Sequence, residues 1–411
     1  LGAWWAYMEL GWGGYWAWDP VENSSLVPWL LATATLHTCI VEQRTGKLAR
    51  FNTLLIALTT ISTFFATFLV RSGVIDSVHA FGKGSVGIPL LVLVCVALLL
   101  SFGIALSSPK KGEPLAPPVS REGLLALMSW FLVAVALIIL MATLWPVISP
   151  LFSKAPQGLD ASFYNRVCLP LAAALLCILA VCGTLAWKTA SLLSKTLFGA
   201  VLATGILVSF VLILSGYKNP TATITTAASA AILTGVVVRS FRKRKTWSLK
   251  TFCATGTHAG LALAALGIAF SGPYSIEEDI YLQENEAATV GDYTLTLDTI
   301  GHEEHPGYAA LVARITVSKN TEKIGILQPE RRMYEKFGDM QFSEVDTIPS
   351  PGNELYVSLL GLTSDKQVLL RFSIKPLVNW LWIGGILMSL FPVCGLISTV
   401  QKKKPGDTEH A

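Results

Sequence analysis

The chain has 411 residues, of which 52% are hydrophobic and only 14% charged, with a formal net charge of +4 and a mean hydropathy of +0.56. A soluble domain carries about a quarter charged residues, so a soluble globular class is excluded and most of the chain belongs in lipid. The small positive excess sits in short loops, which excludes a nucleic-acid partner and instead reports membrane orientation.

In chain order, residues 1–10, LGAWWAYMEL, read as the end of a membrane helix; with Leu1 in first place and no cleavable signal, the chain is expected to be truncated at its N-terminus. Residues 12–25 carry Trp12, Gly13, Gly14, Tyr15, Trp16 and Trp18, then Asp19-Pro20 and Glu22-Asn23. Paired glycines let the backbone turn or approach a flat ligand, and Pro20 stops a helix from crossing the segment. An interfacial aromatic belt needs no fixed order, whereas this run combines rings with polar groups at their edge. It reads as a shelf for a large planar ligand.

Apolar runs long enough to span a bilayer follow at 24–41, 52–70, 87–107, 122–142, 167–188, 196–214, 223–238, 251–270 and 377–399. Basic residues cluster in alternate loops, at Arg44, Lys47 and Arg50, at Lys110, Lys111 and Arg121, at Lys188 and Lys195, at 239–250 and at Lys402 to Lys404. The positive-inside rule makes that face cytoplasmic and turns the Trp-rich stretch outward. Between 271 and 376 the composition changes to alternating runs such as Tyr293 to Asp298 and Leu311 to Val317, whose period of two predicts strands. The expected fold is a polytopic all-α membrane protein with a small β-rich extracytoplasmic domain: a bundle over 1–270 with the Trp-rich segment at 12–29, the β domain at 271–376, a last span at 377–399 and a cytoplasmic tail at 400–411. The seven cysteines lie in apolar segments and form no C-x-x-C pair or C-x-x-C-H site, so they read as small apolar fillers.

The Trp-rich run, with Pro28-Trp29 after it, resembles the tryptophan-rich "WWD" signature of membrane haem-handling proteins, and more closely the CcmF family of cytochrome c-type biogenesis proteins, the haem lyase subunit. Thr143-Leu-Trp-Pro146, Leu327 to Tyr334 and Lys375 to Gly385 also resemble that family, so the likeness runs nearly the whole length. The family usually has Trp and Phe where this chain has Tyr15 and Ala17, which leaves a shelf with a smaller footprint. The resemblance implies haem as ligand. It further implies a System I cytochrome c maturation role at the bacterial inner membrane or an organelle counterpart, with a haem chaperone, apocytochrome c and other maturation subunits as partners.

Histidine supplies the axial ligand that turns such a shelf into a haem site. His37 lies near the inner end of its span and His258 in the span running back outward, both roughly 7 to 11 Å inside the cytoplasmic boundary at 1.5 Å per residue. Intramembrane histidines face the bundle interior and need a partner. Each alone could simply hydrogen-bond a neighbouring helix, while bis-histidine ligation of a buried b-type haem explains both, and the family resemblance implies it. The small residues round His258 are read as space for a porphyrin face. His79, in the outer loop, resembles one of two outer histidines that hold the incoming haem; its partner precedes the Trp-rich stretch in the family and is expected to be lost with the N-terminus. Trp12, Gly13, Gly14, Tyr15, Trp16, Trp18, Asn23 and Trp29 are the expected shelf residues. Arg71 could pair with a propionate or snorkel. Asp19 and Glu22 could be acid/base groups, and are assigned to shaping the shelf, since thioether formation is mainly a problem of positioning. His302 and His305 are read as a surface loop without metal.

The expected activity is haem lyase of the holocytochrome c synthase type, joining haem to apocytochrome C-x-x-C-H thiols, with the buried haem keeping the substrate iron reduced. The alternative is a haem transporter or chaperone-loading protein that uses the shelf without ligation.

Overall fold

The structure is a computed structural model, which describes residues 2–9, 14–75, 77, 85–107, 114–243, 248–338, 341–363, 365 and 367–401. After the short α1 (Gly2–Glu9) come α2 (Pro20–Thr45), α3 (Ala49–Ser72), α4 (Gly87–Ser107), α5 (Arg121–Thr143), the one-turn α6 (Trp145–Ile148), α7 (Ala161–Cys182), α8 (Lys195–Leu214), α9 (Pro220–Lys243), α10 (Leu249–Ser271) and, after the β region, α11 (Val378–Gln401). Among the described residues, nine of these helices are long and apolar enough to cross a membrane. With such spans, this is a multi-pass membrane protein.

Helix ends follow the capping chemistry of the sequence. Asp19, Pro20 and Glu22 form a capping box: Asp19 accepts from backbone N–H groups of the first turn, and Glu22 accepts from the Asp19 N–H, with Pro20 at the first helical position. Hydropathy placed the fifth span at 167–188, whereas α7 begins at Ala161 and ends at Cys182. The Asp160 carboxylate accepts from the Phe163 N–H at 3.1 Å and starts the helix early. Past Gly183 the chain turns back on itself through a Leu185–Leu192 bridge.

By contacts the chain divides into two units, Trp16–Ser215 with Ala230–Arg242, and Leu1–Tyr15 with Gly216–Ser229 and Lys243–Ala411. In the former, α2 packs on α3 and α5 around Val27, Leu30, Ala34, Leu55, Leu132 and Ile139. In the latter, α10 lies against α11 at glycine contacts. A Cβ on Gly384 would meet the Ala264 nitrogen and the Gly260 oxygen, both at 2.4 Å, and one on Gly256 would meet the Phe391 ring at 2.5 Å. This corrects the reading of the small residues near His258 as space for a porphyrin. They are the surface on which α11 sits, because without a hydrophobic drive between helices in lipid, small residues permit close packing. Gly384→Ala is therefore expected to destabilise the protein by about 1 to 3 kcal/mol, seen as a lower melting temperature in detergent; an unshifted transition would contradict the contact.

The β region is a sandwich. One sheet orders β1 (Ile276–Leu282), β10 (Val368–Pro376), β9 (Asn353–Leu362) and β8 (Asp346–Ile348). The other orders β2 (Ala287–Val290), β3 (Tyr293–His305), β4 (Tyr308–Lys319), β6 (Glu330–Tyr334) and β7 (Gln341–Glu344), with β5 (Glu322–Leu327) also paired to β4. Alternate residues of both sheets, among them Leu295, Leu297, Ile315, Val317, Val357, Leu359, Leu370 and Phe372, fill the core between them. His302 and His305 are not in a loop: they close strand β3, where His302 pairs with Leu311 and His305 with Tyr308 across the hairpin. Strand period extends through Gly-His-Glu-Glu-His because the partner β4 is long enough to pair it.

Candidate functional site

Within the Trp-rich run the chain bends at Gly14 and Tyr15, runs irregularly through Trp16 to Asp19, and enters α2 at Pro20. Trp18 has φ +58°, a left-handed conformation rare for a bulky residue. Its neighbours determine it. The indole stacks on Tyr164 of α7 at 4.9 Å between centroids and 8° between planes, and its Nε1 donates to the Asn165 Oδ1 at 2.8 Å. Its carbonyl accepts from the Nδ2 of fully buried Asn23 at 3.0 Å, and the same amide reaches Thr143 Oγ1 at 3.1 Å. Trp16 stands edge-on to Trp18, with centroids 5.9 Å apart and planes at 89°. Strain held by several independent contacts marks functional segments.

The expected carboxylates serve the same frame. Besides capping α2, Asp19 accepts from the Ser77 hydroxyl at 2.6 Å, and Glu22 accepts from the Ala17 N–H at 2.9 Å. These bonds make both groups acceptors at a helix start, a shaping role. Trp29 is exposed on α2, about 14 Å along the axis from Pro20, so it stands apart from Trp16 and Trp18. Arg71 is exposed in the last turn of α3. Trp12, Gly13, His79 and the basic tail after residue 401 lie outside the described residues.

Tyr15 belongs with the other unit, where its hydroxyl lies 3.1 Å from the Ser271 Oγ and its ring meets Trp382 edge-on at 6.3 Å. Tyr7, fully buried, packs on Trp382 and Tyr356 and donates to the Glu354 carboxylate. The Lys375 ammonium sits 3.5 Å from the Tyr356 ring centroid and 4.4 Å from that of Tyr7; burial lowers it to about 8. These contacts tie α1 to the foot of the sandwich. Sequence reasoning missed Tyr7, Tyr164 and Asn165, whose only signal was polarity or aromaticity at helix ends.

A second tie joins Glu9 to Glu344. Burial and the hydrogen bond from Glu9 push the Glu344 carboxyl up to about 7, against the pull of Arg332 at 3.4 Å. A carboxyl raised in the folded state contributes stability that is full below its ordinary 4.5 and lost as pH rises through 7. Amides of α1, corrected for intrinsic rates, are therefore expected to exchange faster at about pH 8.5 than at about pH 5.5, with the difference flattened in Glu344→Gln; equal protection at both would contradict the tie.

The two intramembrane histidines share one local geometry. His37 Nδ1 lies 2.7 Å from the Thr33 oxygen, and His258 Nδ1 lies 2.7 Å from the Ala254 oxygen, each a carbonyl one turn back on its own helix. Donation from Nδ1 puts the ring lone pair on Nε2, the tautomer of a metal-bound imidazole oriented by a backbone carbonyl. His37 lies in one unit and His258 in the other. Three indole donors, Trp16, Trp187 and Trp382 Nε1, are buried without an acceptor among the described residues, and Trp16 is the one that lies in the Trp-rich segment. Donors and tautomers of this kind fit haem, whose propionates accept and whose iron takes imidazole.

A family profile described as "Cytochrome C assembly protein" matches residues 1–75, and one described as "CcmF C-terminal beta-sandwich" matches residues 273–376. The chain is 34% identical to the cytochrome c-type biogenesis protein CcmF of Pseudomonas aeruginosa, over 95% of its own length and 61% of that protein. It is 31% identical to the cytochrome c-type biogenesis protein CycK of Bradyrhizobium diazoefficiens, over 96% and 63%. A solved structure titled "Cytochrome c Heme Lyase CcmF" superposes with a TM-score of 0.81 at 27% identity, over 96% of this chain and 62% of that one. Spans, sandwich and aromatic segment together define a membrane protein of the cytochrome c assembly class. Within that class the chain belongs to the CcmF family, and it spans about three fifths of the length of the relatives it matches.

Proposed function

We propose that this chain works in cytochrome c maturation as a haem lyase component of the inner membrane, with the Trp-rich segment and the sandwich on the periplasmic side. The observation that carries the reading is Trp18, held in a left-handed conformation by Tyr164, Asn165 and Asn23. A belt aromatic needs no such frame; a residue that must present a ring edge in one place does. Substrate haem brought by a haem chaperone would dock on the Trp-rich segment, with His79 to bind its iron and Arg71 to pair with a propionate. Apocytochrome C-x-x-C-H thiols then add across the haem vinyl groups, and the protein contributes register and exclusion of water.

His37 and His258 are the residues that would hold a b-type haem, and that cofactor would supply one-electron reduction. The chain's own part is to fix both imidazoles by their Nδ1 hydrogen bonds, which keeps the ring planes set. The test is a visible spectrum of the detergent-purified protein, oxidised and dithionite-reduced, with a pyridine haemochrome assay. A low-spin b-type spectrum supports the reading. Haem-free protein from haem-replete cells points instead to a haem transporter or chaperone-loading role.

A further inference from the structure

Three helix ends lie at one level of the Trp16–Arg242 unit: the start of α5, the end of α7 and the end of α9. Two arginines meet there. The Arg121 guanidinium lies beside the Cys182 thiol, and Arg239 lies across Gly183, where a Cβ would come within 2.8 Å of its Nη2. The two guanidinium groups are within electrostatic range of each other. The glycine matters here because any side chain would fill the space that the Arg239 fork occupies.

The pair carries about ten N–H donors. Among the described residues neither arginine has a carboxylate within ion-pairing distance, and the sulfur is a weak acceptor. The nearest acidic neighbour in sequence, fully buried Glu122, turns its Oε1 to Lys47 Nζ at 2.8 Å and to the Ala116 N–H at 3.1 Å, while its Oε2 has no hydrogen-bond partner among the described residues and lies beyond ion-pairing distance of either arginine. The loop after α7 is strapped to α5 by Arg121 N–H to Ala186 oxygen and Glu122 N–H to Trp187 oxygen, at 3.0 and 3.1 Å. Arg44 lies 4.4 Å over the ring of Trp187 in that loop, and among the described residues the Trp187 Nε1 is buried without an acceptor. Like charges held together at the edge of the hydrocarbon repel. Such an arrangement is stable when an anion completes it, and planar forks suit the oxygens of phosphate.

We propose that Arg121 and Arg239 form a site for a phosphate oxyanion, carried by an acidic phospholipid or free in solution. Basic clefts between membrane helices take lipid phosphates in this manner, and the site is independent of the haem reading. The experiment follows thermal unfolding of the purified, delipidated protein during titration with inorganic phosphate, with phosphatidylglycerol in mixed micelles, and with phosphatidylcholine.

The wild type is expected to gain several degrees with phosphatidylglycerol and little with phosphatidylcholine. In R121Q/R239Q that gain disappears, while the melting temperature without any anion is equal to or above the wild type, since the repulsion is gone. R239K, which keeps the charge and loses the fork, is expected to weaken binding at least about tenfold, and it serves as the readout if the double variant does not fold. A gain with phosphatidylglycerol alone assigns the site to lipid; a gain with phosphate as well assigns it to the free anion too. Three results overturn the proposal: no gain with either, a gain undiminished in the variants, or a double variant less stable than wild type in anion-free detergent, which would make the arginines structural caps of α7.

Discussion

His258→Ala is expected to remove the low-spin b-type spectrum of the purified protein, and His37→Ala to do the same. His79→Ala leaves that spectrum in place and takes cytochrome c attachment to background. The magnitude follows from the position of each group. Changes in residues that merely orient a ligand cost about 10- to 100-fold in affinity, and loss of the ligating imidazole itself exceeds that. The Nδ1 bonds to Thr33 and Ala254 fix the orientation of both rings, which alanine cannot supply. His258→Met separates ligation from packing: a thioether retains six-coordinate haem and raises the reduction potential, whereas a residue that only fills space would show no change of potential. A spectrum unchanged in either alanine variant would rule out the axial pair. Retained maturation in His79→Ala would sink the docking role.

Replacing Trp18 tests the shelf with two variants of opposite strain. A left-handed non-glycine residue costs of order 1 to 3 kcal/mol. The stack on Tyr164 returns about 0.5 to 1.5 kcal/mol and the bond to Asn165 about 1 kcal/mol. Trp18→Gly loses the contacts and the strain together, so its melting temperature stays near that of the wild type. Trp18→Ala keeps the strain and loses the contacts, and melts lower. If the ring serves haem docking, both variants lose at least about tenfold in holocytochrome formation in spite of their different stabilities. Activity that tracks stability, with the glycine variant active, would reduce Trp18 to a structural residue. Trp18→Phe keeps the stack on Tyr164 without the Asn165 bond and is expected to fall between.

Much of the frame was legible from residue order. Runs of apolar residues gave the nine spans, and period-two alternation from Tyr293 onward marked the sandwich. The start of α2 was written as Asp-Pro-Val-Glu, a capping box that can be read directly. Reading failed where local signals compete. The fifth span was placed about six residues late, because hydropathy does not weigh Asp160 as a cap for a turn containing Tyr164, Asn165 and Arg166. Glycines near His258 looked like room for a ligand, and nothing local to them announces that Gly384 and Phe391 of another helix fill it.

What the sequence by itself determined is the membrane class, the order of elements, the aromatic segment and its family, since hydropathy, period, caps and motifs are properties of neighbouring residues. Only the tertiary structure decided which faces those residues present. Trp18 meets an asparagine 147 positions away, Asn23 a threonine 120 away, and Tyr7 a glutamate 347 away. Arg239 of one helix comes to lie across Gly183 at the end of another, within electrostatic range of Arg121. Contacts over such separations depend on how helices pack against one another, and packing is set by side-chain shape across the whole bundle rather than by any stretch of the chain.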